Sequence, residues 1–306
     1  MLFDNKSVAF GRNETFLLRY NWIFKGLSSI KENSEIFQSP DALNELGVGK
    51  NMMHSMRYWL SAYQLVENQN NSFSDFSKYV LDPEEGVDPY LENQSTLWLL
   101  HWKLCSNPTQ ATLYYWFFNH FAKTSFTKLE LANALTDWLN FNSTKKIASK
   151  TIERDINLLL KTYSSLNSAE KEFEEQLENP FHELNLLNKN IDGSYNTNII
   201  ARDSLNPDVI GYCIADIQNY FKTQEGGQKL NLSTKPVNEI LNSSEFPSLQ
   251  KVFRASQDFL YESLERLEID YPNLFKVDDT AGQKTLSIKK DLDPMLFLKN
   301  SYKRQT

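Results

Sequence analysis

The chain has 306 residues, 41% hydrophobic and 23% charged, enough for about two domains with cores of their own and too apolar for a disordered chain. Ten glycines are about 3% of the chain against a usual level of about 7%, which argues against the glycine-rich loops of phosphate-cradling and dinucleotide folds. Thirty-two basic and 39 acidic residues give a net charge of −7, which excludes an all-over basic coat for nucleic acid and leaves open only a local basic face.

The N-terminus, Met-Leu-Phe-Asp-Asn-Lys, has no basic segment followed by an apolar run, so no signal peptide is expected. The most apolar stretches, Leu97–Cys105 and Ala111–Phe121, fall far below the ~18 residues of a membrane span and each contains His. They read as buried helices. Two cysteines, Cys105 and Cys213, are too few for a metal knuckle or a disulfide framework and fit a reducing cytoplasm. Together these features predict a cytoplasmic protein that is mainly α.

Three blocks are expected: 1–92, 93–167 and 180–306. In the first, Arg12, Glu14, Arg19 and Tyr20 fall within nine residues among aromatics. An acid, two arginines and a tyrosine can bind and strain a phosphodiester, or can form an ion-pair network tying the N-terminus to the block. Ser39-Pro40-Asp41 has the residues of a helix start, with Ser as N-cap and Pro at the first position. A short helix to Leu46, a turn at Gly47-Val48-Gly49 and a longer helix from about Asn51 to Val66 make the outline of a helix-turn-helix. The polar stretch Glu67–Glu92 is a candidate wing.

The second block is dense in aromatics, Trp98, Trp102, Tyr114 to Phe118 and Phe121, which predict a core. Thr127-Lys-Leu-Glu130 is a capping box opening a helix to about Leu139. After a polar turn at Asn140–Ala148, a second helix is expected over Ser149–Tyr163. The acidic run Glu170–Glu178 reads as a solvated helix face or connector. In the third block, Asn206-Pro207-Asp208 opens a helix to about Phe221, and Gln224–Gln228 reads as a loop. Leu249 to Leu267 keep helical spacing over five turns. Alternation at Phe275 and Val277, a turn at Asp278–Gly282, and alternation at Leu286 and Ile288 predict a β-hairpin behind that helix. The expected architecture is therefore several winged-helix or helix-turn-helix-like units with small β-hairpin wings.

Two helices share one pattern. Met53, Met56, Leu60 and Tyr63 form an apolar face opposite Lys50, His54, Arg57 and Ser61, with Asn51 beside them. Ile152, Ile156, Leu159 and Tyr163 form another, opposite Lys150, Arg154, Asn157 and Lys161 at the same i, i+4, i+7, i+11 spacing. Lys and Arg neutralise phosphates, and Arg and Asn read base edges. Lys145 and Lys146 precede the second stripe; Phe141 to Tyr163 carries five basic and two acidic residues. A solvated surface is the plain alternative for either stripe.

Enzyme motifs fail on inspection. Gly49-Lys50 lacks the remainder of a phosphate loop, with Asn44 and Asn51 where Gly and Ser or Thr are required. His101-Trp-Lys103 is followed by Pro108 where a phospholipase-D-type nuclease needs Asp. Four histidines and two separated cysteines do not make a zinc site. His101 and His120, in aromatic-rich helices, read as core histidines.

Several stretches resemble a bacterial domain-of-unknown-function family encoded beside DNA phosphorothioation genes, the SspB-like proteins. They are Phe10–Trp22, Glu45-Leu-Gly-Val-Gly-Lys-Asn-Met52 with Tyr58-Trp59-Leu60, and Tyr90-Leu-Glu92. They continue with Thr96-Leu-Trp-Leu-Leu-His-Trp102, Asn107-Pro108, Tyr114–Asn119, Arg154-Asp155 and Pro180–Leu184. The resemblance implies nicking of one DNA strand so that sulfur can replace a phosphate oxygen, with Mg²⁺ or Mn²⁺ serving the cut. It also implies partners in an antiviral system: a cysteine desulfurase, an ATPase and a sulfonucleotide-reductase-like protein. Glu14, Arg19 and Tyr20 match the family pattern and are the candidate catalytic residues. Where that pattern reads Gly-His-Glu-Thr-Phe, this chain has Asn13 before Glu14. An amide has no proton that titrates near neutral pH and cannot replace a general base. Three readings follow: a DNA-nicking endonuclease, a non-catalytic DNA-binding adaptor for the sulfur-transfer ATPase complex, and a winged-helix transcription regulator.

Overall fold

A helix that is apolar all round has to sit inside a protein. Leu97–Cys105 comes close to this, broken only by His101 and Lys103, and every residue from Ser95 to Cys105 is buried in helix α4 (Gln94–Cys105). In this computed structural model, which describes residues 3–67, 71–165, 177–223, 234–280 and 283–303, α4 is central to the first of two compact units. That unit spans residues 2–198 and the second spans 199–306. Both are mainly helical, with small antiparallel sheets. No described helix is long and apolar enough to cross a membrane.

Before α4 the first unit has α1 (Tyr20–Glu32), α2 (Ala42–Leu46) and α3 (Lys50–Ala62). Sequence reasoning missed α1, treating its first residues as part of a functional segment. Helix α2 begins at Ala42, one residue after the expected start at Asp41. The Ser39 hydroxyl accepts from the Asp41 amide at 3.2 Å, so Ser39-Pro40 makes a turn ahead of the helix. Gly47 then ends α2 in the left-handed conformation (φ +58°), where glycine carries no Cβ penalty. Helix α3 stops at Ala62 rather than Val66, because Gln64 is left-handed and the Leu65 amide bonds back to the Leu60 carbonyl. The expected wing after it is, among the described residues, a single bridge between Val66 and Phe73 followed by a π-helical turn at Ser77–Leu81. Asp88 then caps the approach to α4, accepting from the amides of Glu92 and Asn93 and from the Thr96 hydroxyl.

Behind α4 run α5 (Thr112–Asn119), β1 (Ser125–Phe126), α6 (Lys128–Asn142), α7 (Ser149–Tyr163), β2 (Asn188–Lys189) and β3 (Tyr195–Asn196). Both halves of the Thr127–Glu130 capping box are formed at α6. Strand β3 is central, pairing antiparallel with β1 and with β2. Trp98, Trp102, Tyr114 and Phe117 are buried as expected. His101 is fully buried and shares a 2.8 Å hydrogen bond with the Tyr163 hydroxyl. His120 is exposed instead: α5 ends before it, and its ring stacks on Trp138 at 5.7 Å. Most of the acidic run at 170–178 lies outside the described residues.

The second unit comprises α8 (Pro207–Thr223), β4 (Thr234–Pro236), α9 (Val237–Leu241), α10 (Leu249–Phe253), α11 (Gln257–Asp270), β5 (Phe275–Thr280), β6 (Gln283–Ile288) and α12 (Pro294–Lys303). Strand β6 is central, between β4 and β5. The five-turn helix expected over Leu249–Leu267 is two helices. Arg254 is left-handed (φ +47°), Ile200 bridges Ala255, and the Ser256 hydroxyl caps a new start by accepting from the Phe259 amide. The loop expected at 224–228 lies outside the described residues.

Helix α7 matters most for the site. Its inner face is Ile152, Ile156, Leu159 and Tyr163, and Asp155 shares that face, 5% exposed. Gly11 (φ +66°) donates its amide to Asp155 Oδ2 at 2.7 Å, and the Asn13 side chain donates to the same carboxylate. A Cβ on Gly11 would lie 3.1 Å from Thr151 Cγ2, so glycine suits both the torsion and the close approach. Burial raises the Asp155 carboxyl to about 6, against the opposing pull of Gly11, Asn13 and Arg154. The folded chain therefore holds a proton that an unfolded chain releases at its ordinary value near 3.9, and stability falls as pH rises from about 4 to about 6. At 1.4 kcal/mol per unit, the loss is roughly 3 kcal/mol by pH 7. Urea unfolding of wild type and Asp155→Asn across pH 4 to 7 should show the stability difference moving by that amount in favour of the variant; a difference independent of pH would refute the assignment.

Candidate nucleic-acid interface

Residues 10–16 run over α7 and turn toward α3. Asn13 is buried, and its Oδ1 accepts from the Thr15 amide at 3.1 Å. The Phe16 carbonyl accepts from Trp59 Nε1 on α3 at 3.2 Å. Between these ties Glu14 and Thr15 both have positive φ, +48° and +67°. Two consecutive non-glycine residues in that region store strain of about 1–3 kcal/mol each, a condition met mostly where function fixes a side chain.

The strain presents Glu14 to a cleft of about 460 Å³ lined by Arg12, Glu14, His54, Arg57, Asn71 and Gln110, among others. Glu14 Oε1 lies 4.0 Å from His54 Nδ1, both side chains being about 40% exposed (39% and 43%). Arg12 and Arg57 are exposed, and among the described residues neither has a carboxylate within ion-pair distance. A cleft with two arginines that no described acid neutralises is suited to an anion. Lys50 and Asn51 are exposed at the start of α3, one turn before His54. Asp82, Glu84 and Glu130, by contrast, are each taken by a lysine.

Arg19 and Tyr20 stand elsewhere. Arg19 pairs with Glu178 at 2.8 Å and covers the Trp22 ring at 5.5 Å. The Tyr20 hydroxyl donates to Glu183, whose second oxygen accepts from Gln94 at 2.7 Å. Partial burial and the Glu183 charge push the Tyr20 phenol well above its ordinary range. These two residues fasten the start of α1 to the turn at Pro180–Leu184, away from Glu14.

The second stripe is on the surface of the same unit. Lys150, Arg154 and Asn157 are exposed on α7 and Lys161 is half-buried near its end. Lys145 and Lys146 are exposed in the turn between α6 and α7. In the second unit, α11 has Asp258, Glu262, Glu265 and Ile269 at the same i, i+4, i+7, i+11 spacing, all exposed. Sequence reasoning noted Asp155 only within a resembling stretch and gave it no role, and it missed the cleft amides Asn71 and Gln110. For Asp155 a signal existed, a carboxylate between Ile152 and Ile156 on an otherwise apolar face; for the amides none did.

No curated protein matches the chain. A structure described as "Magnesium ion-bound SspB crystal structure" has 26% sequence identity and a TM-score of 0.82, covering 99% of this chain and 89% of that one. A second, "SspB crystal structure", has 25% identity and a TM-score of 0.80 over 98% and 89%. The SspB-like resemblance of the sequence is thus matched by the backbone. Residues 10–302 match the family described as "Protein of unknown function (DUF4007)", and the chain belongs to that family.

Proposed function

We propose that this protein binds duplex DNA through its first unit and nicks one strand, in the phosphorothioation role that its SspB-like character implies. The observation that carries this reading is the cleft in which Arg12 and Arg57, with no acidic partner among the described residues, flank Glu14 and His54. Its arginines would hold a phosphodiester. Hydrolysis then adds water to phosphorus and breaks the bond to one sugar oxygen, leaving a phosphate monoester and a hydroxyl. His54, whose Nδ1 lies 4.0 Å from Glu14 Oε1, would take the proton of that water.

Connectivity supports the DNA-binding half. In the first unit the order α5–β1–α6–α7–β2–β3, with β3 central, is compatible with a winged helix in which α7 would take the third-helix place. The second unit repeats that order from α8 to β6, with one extra short helix, but its third helix is acidic. We therefore assign the phosphate-facing role to α7 and not to α11. Among the described residues there is no group of three His, Cys, Asp or Glu side chains fit to hold a metal ion. Mg²⁺ is commonly held by one or two carboxylates together with substrate phosphates. Glu14, the carboxylate of the cleft, fits that pattern once a phosphodiester is present, and the ion would neutralise charge developing on the phosphate. Partners implied by resemblance are a cysteine desulfurase, an ATPase and a sulfonucleotide-reductase-like protein. A second reading, a DNA-binding adaptor that does not cut, is favoured by the 4.0 Å separation of Glu14 and His54, which is longer than a hydrogen bond.

Supercoiled plasmid with Mg²⁺ or Mn²⁺ separates the two. Nicking predicts relaxation by wild type that falls by about a hundredfold or more in Glu14→Ala and in His54→Ala; retained DNA binding without relaxation supports the adaptor. For the stripe, replacing Lys150, Arg154 and Lys161 by Ala should weaken duplex binding and reduce the salt slope by about 0.9 for each phosphate that is no longer neutralised. Asp258→Ala with Glu262→Ala on α11 should leave that slope unchanged.

A further inference from the structure

Strands β2 and β3 form a hairpin whose base is buried and whose tip is not. At the base, Tyr195 stacks on Phe126 of β1 at 6.1 Å. The Leu187 amide donates to the Tyr163 carbonyl at 3.1 Å and the Ser165 amide donates to the Leu187 carbonyl at 3.0 Å. The base of the hairpin is thus hydrogen-bonded to the chain as it leaves α7. At the tip, Asn190-Ile191-Asp192-Gly193, the Asn190 amide donates to the Ser194 carbonyl at 2.8 Å and the Gly193 amide to the Asn190 carbonyl at 3.0 Å. Asp192 Oδ1 accepts from both the amide and the hydroxyl of Ser194, at 2.9 and 2.7 Å. Gly193 takes the left-handed position (φ +82°).

These polar groups hold the turn closed, and the Ile191 side chain takes no part in that. Its relative exposure is 109%, so it buries nothing within the fold. Turn chemistry places Asn, Asp, Gly or Pro at such positions and gives no reason for a branched aliphatic residue. Lys189, two residues before Ile191 on β2, is exposed, and the exposed cations of α7, Lys150 and Arg154, belong to the same unit. An uncovered apolar side chain on a closed turn, next to a strand with an exposed lysine, fits duplex DNA, where Ile is one of the side chains that wedge between base pairs from the minor groove.

We propose that Ile191 is such a wedge: with α7 along the major groove, the hairpin reaches the adjacent minor groove and Ile191 unstacks one base step there. The inference rests on the assignment of α7 to DNA. It places the distortion at a residue that touches neither phosphate nor the cleft, so its removal should act on base stacking and not on electrostatics.

The test uses the full chain and a duplex with 2-aminopurine at successive positions. Wild type should raise the fluorescence at one step. Ile191→Ala should abolish that rise and weaken binding about fivefold to tenfold, with the salt slope unchanged, and Ile191→Leu should restore both. Ile191 is fully exposed, so loss of folding does not confound the variant. The Lys150, Arg154 and Lys161 to Ala variant is run in parallel. If that variant loses binding while Ile191→Ala matches wild type in fluorescence and affinity, the wedge is overturned and α7's role stands. If neither affects binding, the α7 assignment falls and the wedge with it. If wild type binds without any fluorescence change, the wedge is overturned outright.

Discussion

The buried carboxylate of Asp155 is the contact on which the candidate site depends. It sits on the core face of α7, yet accepts from Gly11 and Asn13, residues more than 140 positions earlier in the chain. Those bonds, with the Trp59 indole on the Phe16 carbonyl, clamp the N-terminal loop at both ends. Only a clamp of this kind keeps Glu14 and Thr15 in left-handed torsions, because each would relax to negative φ in a free loop. Burial opposes the charge on Asp155, so the loop is anchored through a group kept near the edge of ionisation. Arg154, the preceding residue, faces solvent and is among the groups that favour the charged form. One turn of α7 thus shapes the cleft on its inside and offers a cation on its outside.

Charge separates two units that share an order of elements. The overall −7 arises from surfaces of both signs, and the stripe positions of the third helix make the division explicit. Lys150, Arg154, Asn157 and Lys161 in one unit are matched by Asp258, Glu262, Glu265 and Ile269 in the other. The backbone order is retained while the chemistry is reversed, which is why the order alone assigns no function to either unit.

Local signals were the legible part of the sequence. The Thr127–Glu130 capping box and the apolar period of Ile152 to Tyr163 located α6 and α7, and Gly47 located the turn before α3, because each is settled by residues within one or two turns. What failed depends on distant partners. The Leu249–Leu267 period continues through a break set by Arg254 and by the Ile200–Ala255 bridge, neither visible to a hydrophobic pattern. Glu14 was legible as a candidate, but its neighbours in sequence are not its neighbours in space. A helix begins at Tyr20, and it carries Arg19 and Tyr20 to Glu178 and Glu183, while the loop turns Glu14 to His54.

Asn13 shows how position and chemistry divide in this loop. The SspB-like pattern has histidine there, and in sequence its replacement reads as the loss of a titrating group. In the fold, residue 13 is 4% exposed, bonds inward to Asp155 and holds the Thr15 amide. An asparagine satisfies both contacts, since its amide group donates to the carboxylate and its carbonyl accepts from the backbone. A neutral imidazole could also give one bond and take one, so either residue can serve as the clamp. A side chain pointing into α7 does not face the cleft. The imidazole that does face the cleft is His54, on α3, and it lies against Glu14. The replacement at residue 13 therefore alters how the loop is held and leaves the side chains that face the cleft, Glu14 and His54, in place.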